Sequence, residues 1–379
     1  LTPDGSLQRS ELELSEDALL ALPQSPAVFR IATPGGRPYL ARTSVLRRRA
    51  LRLLGKRDGS SRVLHLREAF SQLDYWLTGS ALDASMTLYE IARQDFPESY
   101  QRVLRLRMPP YLKLLLGNAW PRTMVTTQAG SGTGLTYGPF RSRAAAEYFE
   151  SQYLELFQIR RCQEDLAPAP DHPGCLWGEV GKCLRPCQLA VSREEYGGEV
   201  ARASEFLRTN GQSMIRSITA ARDALSAEME FEEAARQHRQ LERVEGVLKA
   251  RDELASDAAS LQAIAVARSA LPNTADLFLV RDGQWLGRVR LDFELQDGKP
   301  VSVDRKLREL WAGLGQIVMA TRERQERVAL LARWFYSTWR DGELLMFDRF
   351  DDPPVRKIVN ALGRVMGRSE ATQERLPLH

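Results

Sequence analysis

The sequence predicts an α+β protein assembled from several small modules, and three observations predict it. The chain has 379 residues, enough for two or three separate cores. Strand candidates come in short pairs across Pro/Gly or Asp–Gly turn signals, the pattern of antiparallel hairpins. Helical spacing fills other, separate stretches, so the helices do not alternate one by one with the strands. The expected divisions are 1–105, 106–200, 201–255 and 256–379.

Composition bounds the class. Hydrophobic residues make up 43% and charged residues 27%, as in an ordinary globular protein. No apolar run approaches the roughly 18 residues that would span a bilayer, so no membrane role is expected. The first residues, LTPDGSLQRSELELSEDALL, are polar and acidic and do not read as a secretory or transit peptide. The expectation is a cytoplasmic protein. The net charge of +4 is unevenly spread. Between Arg42 and Arg62 stand Arg42, Arg47, Arg48, Arg49, Arg52, Lys56, Arg57 and Arg62 against a single acid, Asp58. A second basic run holds Arg102, Arg105, Arg107 and Lys113. Such clustering suits a polyanion surface, although a basic run also serves as a solvated helix face.

In chain order, residues 11–22 predict a helix capped by Ser15, with Glu16 and Asp17 in its first turn, stopped by Leu22-Pro23-Gln24-Ser25-Pro26. Ala27–Ala32 and Arg37–Leu40 predict a hairpin across Thr33-Pro34-Gly35-Gly36. Ser44–Leu54 predicts a basic amphipathic helix, apolar at Val45, Leu46, Ala50, Leu53 and Leu54. Met214–Ser226 and the stretch after Phe231 predict two antiparallel helices, too small to be stable unless they pack on something else. Residues 255–269 read as helix, and 277–295 as two strands joined at Arg281-Asp282-Gly283. Residues 303–323 and Gln325–Tyr336 read as helices. Trp334, Phe335, Trp339, Phe347 and Phe350 are expected to cluster by packing.

All four cysteines, Cys162, Cys175, Cys183 and Cys187, lie within 26 residues at spacings of 13, 8 and 4. Thiolates gathered this way act together, in two disulfides, a structural zinc site or an iron–sulfur cluster. Disulfides fit poorly with the remaining chain, which uses no cysteine. Zinc prefers closer pairs, and only Cys183 and Cys187 are close. Four thiolates with Pro186 beside the last suit a [4Fe–4S] cluster equally well. Spacing leaves Zn²⁺ and iron–sulfur open.

The strand–turn–strand–basic helix unit opened by LPQSP resembles the GIY-YIG nuclease domain of the UvrC family, the excinuclease subunit that incises damaged DNA. Pro110-Tyr111-Leu112-Lys113-Leu114 and Pro121–Thr126 resemble the family's PYIKL and PRLLVT segments. Tyr137-Gly138-Pro139-Phe140 with Ala144–Leu156 resembles its YFGPY loop and following helix. The cysteine stretch, closing on Gly181-Lys182-Cys183-Leu184-Arg185-Pro186-Cys187, resembles its four-cysteine region. Phe231-Glu232-Glu233-Ala234-Ala235 resembles the UVR motif, and Leu277–Arg288 the strands that follow it. The match is collinear over roughly residues 20–295.

The resemblance implies roles residue by residue. Its first tyrosine falls on Phe29, which has no hydroxyl. Its second falls on Tyr39, its next basic position on Arg42, and its catalytic arginine on Arg49. Its metal glutamate falls on Leu88, with Glu90 two positions on and about 200° round the helix. Without that carboxylate a Mg²⁺ ion loses its protein ligand, so hydrolysis by this unit is not expected. The active alternative is an endonuclease working through Tyr39, Arg49 and a displaced Glu90. A third alternative is a protein-binding adaptor with no DNA role. The retained basic residues, Arg42, Arg47, Arg48, Arg49, Arg52 and Lys113, are expected to contact DNA phosphates.

The resemblance further implies that the cysteines ligate a [4Fe–4S] cluster. It also implies that Phe231, Glu232, Glu233, Ala234 and Ala235 belong to a hairpin docking a UvrB-like protein. The family's second nuclease is RNase H-like. No spaced Asp/Asp/His set for it is found here: Asp341, Asp348, Asp351 and Asp352 cluster in a loop-like stretch. The resulting expectation is a nucleotide-excision-repair protein without its own nuclease.

Overall fold

The structure, a computed structural model, describes residues 1–8, 15–56, 66–129, 133–292, 302–314 and 320–373. The side chains of 368–373 are not described, and the basic residues Arg57 and Arg62 fall outside the described residues.

The N-terminal unit opens with strand β1 (Gly5–Gln8) and helix α1 (Glu16–Leu20), whose N-cap Ser15 accepts from the Ala18 amide as its sequence position anticipates. Strands β2 (Ala27–Ala32) and β3 (Tyr39–Thr43) form the expected hairpin, with β3 beginning two residues later than its turn suggested. Helix α2 (Leu46–Leu54) follows, then β4 (Gln72–Leu77). The sheet order is β1-β4-β2-β3, antiparallel throughout. Because side chains alternate along a strand, this sheet has two covered faces. Phe29, Ile31 and Tyr39 pack with Leu46, Ala50 and Leu53 of α2. Val28, Leu40 and Trp76 pack on the other face with Ala84, Leu88 and Ile91 of α3 (Ala81–Asp95). Helix α4 (Tyr100–Leu104) closes the unit.

The middle unit is a second antiparallel sheet. Its strands are β5 (Tyr111–Leu114), β6 (Thr123–Thr126) and β7 (Leu135–Gly138). Helix α5 (Arg143–Tyr153) covers it, Tyr137 stacking on Phe149 at 5.3 Å between ring centres. The cysteine stretch then carries only a one-turn helix, α6 (Leu176–Glu179), and a 3₁₀ turn at Pro186–Gln188. Helix α7 (Arg193–Arg208) starts at a capping box, with Ser192 and Glu195 satisfying each other's backbone amides. It runs unbroken through the division expected at residue 200.

Helices α8 (Gln212–Ala227) and α9 (Phe231–Lys249) form the expected antiparallel pair. At their base Ile218, Leu241, Val244 and Val247 join the core made by Tyr153, Phe157, Phe206 and Leu207. That supplies the packing surface a lone hairpin needs. Strand β8 (Ser256–Asp257) pairs with β7, so this sheet crosses the division expected at 255/256.

The C-terminal unit corrects the sequence reading. Residues 255–269, expected as helix, contain β8 and β9 (Ala263–Arg268). Alanine favours helix, but here Ala263, Ala265 and Ala267 line one face of a central strand while Ile264 and Val266 line the other, and all are buried. Burial on both faces overrides propensity. Strands β10 (Thr274–Arg281) and β11 (Gln284–Asp292) meet at Asp282-Gly283, both in the left-handed region as an Asp–Gly turn requires. Helix α10 (Val303–Gly313) and helix α11 (Thr321–Phe335) follow. A strand the sequence reading missed, β12 (Glu343–Met346), pairs antiparallel with β9, giving the order β11-β10-β9-β12. Helix α12 (Val355–Gln373) ends the described chain. The five C-terminal aromatics do not form one cluster. Trp334 and Phe335 sit on the alanine face with α3, Phe347 and Phe350 pack on the opposite face, and Trp339 is 40% exposed.

The alanine face decides the whole arrangement. Short side chains on β9 let α3 and α11 approach the sheet, and Tyr89, Phe96, Tyr100, Phe278, Trp285 and Trp334 fill the space between. Burying each such side chain contributes about 1.5–3 kcal/mol. The N-terminal unit is therefore packed directly on the C-terminal sheet.

Candidate functional site

On the α2 face of the first sheet, Arg49 Nη2 donates to the Tyr39 hydroxyl at 2.7 Å, and the Tyr39 ring stands 6.0 Å from that of Phe29. Arg49 Nε is buried without a partner among the described residues. Phe29 is fully buried and packed in the core. Two of the residues expected in the active alternative are thus joined. The third is not with them. Glu90 lies on α3, across the sheet, and accepts from Arg327 Nη1 of α11 at 2.9 Å. Leu88, at the position the resemblance gives to the metal glutamate, packs beside Leu40 and Val28. The sheet itself separates Tyr39 and Arg49 from the α3 residues.

The basic residues divide by what their head groups do. Arg48 and Arg52 lie one turn apart on the outer face of α2, both exposed, with no ion pair among the described residues. Arg42 is exposed on the α3 side, within 3.4 Å of Ser85 Oγ and with its guanidinium 5.6 Å from the centre of the Trp339 ring. Arg47 turns inward and donates from Nε to the Leu22 carbonyl at 2.7 Å, fastening α2 to the end of α1. Lys113, expected on the DNA-facing surface, is only 4% exposed on β5. Strand alternation and the neighbouring strands bury it, so it does not present its charge to a bulky polyanion.

The cysteine stretch is held from both sides. Arg160, 2% exposed, donates to the carbonyls of Trp120, Cys162 and Glu164 at 2.9, 3.2 and 2.8 Å and reaches Cys162 Sγ at 3.4 Å. The Leu184 amide bonds the Gln158 carbonyl at 3.1 Å, and the Ala169 amide bonds the Cys187 carbonyl at 2.9 Å. Cys183 and Cys187 are buried, Cys162 is half-buried and Cys175 exposed; all four are free thiols. Burial pushes the Cys183 thiol up to about 11, and Cys162, Cys175 and Cys187 add to the shift, against a backbone amide hydrogen bond from Arg185. The four sulfurs therefore share one electrostatic neighbourhood. Four thiols within one stretch are the donor type that a thiolate-bound metal centre uses. Among the described residues, no group of three or more His, Cys, Asp or Glu closes to metal-binding geometry.

At the far end of the helical hairpin, Met229 and Phe231 are 75% and 65% exposed. Glu232 and Ala235 are exposed, Glu233 is half-buried, and Ala234 turns into the hairpin.

Sequence reasoning missed two features. The carboxylates Asp83 and Glu326 are buried on α3 and α11, where Arg288 pairs with Asp83 and Arg322 with Glu326. Asp341, read as one of a loose acidic group, accepts from the Ala81 amide at 2.6 Å and from Trp334 Nε1 at 3.0 Å, so it caps α3 from 260 residues away. The Asp83–Arg288 and Ala81–Asp341 contacts leave no local signal, since each joins two units, whereas Arg322 and Glu326 stand four residues apart on α11 and that pairing was open to a sequence reading. Among the described residues no helix is long and apolar enough to cross a membrane.

A family model for the UvrC/Cho excinuclease middle domain matches residues 109–206, from the start of β5 to the last turn of α7. The chain is similar to the UvrABC system protein C of Lachnospira eligens, 25% identical over 84% of this chain and 53% of that protein. It is similar to the same protein of Dehalococcoides mccartyi, 24% identical over 73% of this chain and 46% of the relative. For that of Moorella thermoacetica the figures are 26%, 72% and 44%. The chain spans about half the length of the curated relatives it matches. No solved structure matches it. With the collinear motifs and the matched segment coinciding with the β5–α7 unit, this chain is a UvrC homologue whose residues 109–206 form a UvrC/Cho excinuclease middle domain.

Proposed function

We propose that this chain acts in nucleotide excision repair as a UvrC-type protein that binds DNA and a UvrB-like partner without cutting DNA through its N-terminal unit. The observation that carries the loss of cutting is the separation of parts. Tyr39 and Arg49 are bonded on one face of the first sheet, while Leu88 and the Arg327-bound Glu90 belong to the helix on the other. A single-metal phosphodiesterase needs its carboxylate and its general base on the same phosphate, within hydrogen-bond reach of the reacting atoms.

The DNA contact of this reading is the outer face of α2, through Arg48 and Arg52; Arg42 is exposed on the opposite, α3 side of the sheet and would contribute a separate contact. Arg47 and Arg49 serve mainly to hold the helix and Tyr39 in place. The partner contact is the hairpin tip, where Phe231 and Met229 expose apolar surface beside Glu232. The four cysteines would hold a [4Fe–4S] cluster that fastens the 157–189 stretch between α5 and α7; zinc on the same thiolates is the alternative. In this reading the protein works in the cytoplasm.

Incision of supercoiled plasmid and of a lesion-bearing duplex, in Mg²⁺ or Mn²⁺, tests the central claim. No cutting is expected from the purified chain. Cutting that disappears in a Glu90→Ala variant would overturn it and establish the endonuclease reading instead.

A further inference from the structure

A cavity of 830 Å³ forms a groove at the seam of three units. Five arginines line it. Arg105 and Arg107 come from the segment after α4, Arg141 and Arg143 from the start of α5, and Arg333 from the outer face of α11. All five are exposed. Among the described residues no carboxylate lines the groove. On the same helix as Arg333, Arg322 is paired with Glu326, and Arg327 with Glu90 and Glu323. Here Arg105, Arg107 and Arg333 make no ion pair among the described residues. Arg141 is anchored from behind by Asp252 at 2.6 Å, and Arg143 has only the exposed Glu147 one turn along its own helix, at 2.7 Å. An exposed pair of that kind is worth little.

Gathering like charges in one concavity is unfavourable by itself. Apolar walls, here Pro109, Pro110 and the Tyr336 ring, concentrate the positive field inside it. We propose that this groove is a second nucleic-acid contact, binding a phosphodiester backbone through Arg105, Arg107, Arg141, Arg143 and Arg333. The guanidinium fork matches phosphate oxygens, and charges drawn from three segments suit a string of phosphates better than one small anion. An acidic peptide is disfavoured because Pro109 and Pro110 have no amide hydrogen with which to pair an added strand. The groove shares no residue with α2. The inference rests on the DNA-binding reading above and extends it to a separate surface.

The test is fluorescence anisotropy of the full chain with a short labelled duplex and with its single strand, across a salt series. The variants are R105A/R107A/R333A, its charge-retaining counterpart R105K/R107K/R333K, and R48A/R52A, with melting temperatures as a check on folding. The triple alanine variant is expected to bind roughly tenfold more weakly and to lower the salt slope by about 2 to 3, and the lysine variant to restore the slope. The duplex and single-strand arms show which form the groove takes. Unchanged affinity and slope in the triple alanine variant, alongside loss in R48A/R52A, would overturn the groove while leaving the DNA-binding reading intact. Absence of salt-dependent binding by the unmodified chain would overturn both. Displacement of the oligonucleotide by poly-glutamate at equal charge, with poly-glutamate binding lost in the triple alanine variant, would assign the groove to an acidic protein segment instead.

Discussion

Tyr89 and Glu326, 237 positions apart, are joined by a 2.7 Å hydrogen bond from the Tyr89 hydroxyl to the Glu326 carboxylate. Tyr100 donates to both oxygens of the same carboxylate at 2.9 Å, Gln101 donates a third contact, and Arg322 a fourth at 3.2 Å. The carboxylate, 1% exposed, ties α3 and α4 of the N-terminal unit to α11. Replacing it with alanine strands several buried donors, so Glu326→Ala is expected to destabilise the protein by about 3 kcal/mol in urea unfolding. Glu326→Gln, which keeps one acceptor, should cost clearly less.

The same carboxylate sets an acid limit. Burial alone would raise its pKa, but hydrogen bonds from Tyr89, Gln101, Tyr100 and Arg322 outweigh burial and hold it below the usual carboxylate value. A depressed carboxylate stabilises the fold fully above its unfolded value, and the contribution is lost as pH falls through the lower folded value. The melting temperature should therefore drop on acidification below the ordinary carboxylate range. That acid-dependent drop should be smaller in Glu326→Gln.

Gly79 marks a place where backbones touch. A Cβ there would collide with backbone atoms of Arg268 and Ser269, at the end of β9. Because rigid backbone cannot swing aside, Gly79→Ala is expected to cost about 1–3 kcal/mol and to loosen the N-terminal unit from the C-terminal sheet. Denaturant titration together with limited proteolysis of the whole chain reads both effects.

Neighbouring arginines of α2 should behave differently. Arg48→Ala with Arg52→Ala is expected to leave the melting temperature unchanged while lowering the salt slope of duplex binding by about 2. Arg47→Ala removes the bond to the Leu22 carbonyl and should cost about 1 kcal/mol of stability. Equal loss of stability in both variants would remove the distinction between surface and structural arginines.

The hairpin tip offers a cleaner separation. Phe231→Ala, at a site 65% exposed, should change stability by less than about 0.5 kcal/mol. It should nevertheless weaken capture of a UvrB-like C-terminal helical hairpin, measured by calorimetry. Leu241→Ala at the buried base should do the reverse, costing about 2–4 kcal/mol.

For the cysteines, protein purified without oxygen is expected to be brown and to carry iron and sulfide. Cys183→Ser and Cys187→Ser should lose both together. A colourless protein with one equivalent of zinc per chain would assign the thiolates to zinc.

Much of the fold is legible in the sequence because its cause is local. Ser15 before two acids, the Asp282–Gly283 turn and the apolar stripe of α2 each fix nearby backbone without help from the rest of the chain. The order of motifs from Pro23 to Arg288 likewise carries the family resemblance without any tertiary contact. What the sequence could not decide depends on pairs far apart in the chain. It could not show that alanines at 263, 265 and 267 form a strand face on which α3 and α11 close, because helix propensity pointed the other way. Nor could it show that Lys113 is buried, that Glu90 is held by Arg327, or that arginines from three units meet in one groove. Charge and propensity are properties of a residue. Which face of a sheet it occupies, and what stands opposite, is set only when the sheets pack.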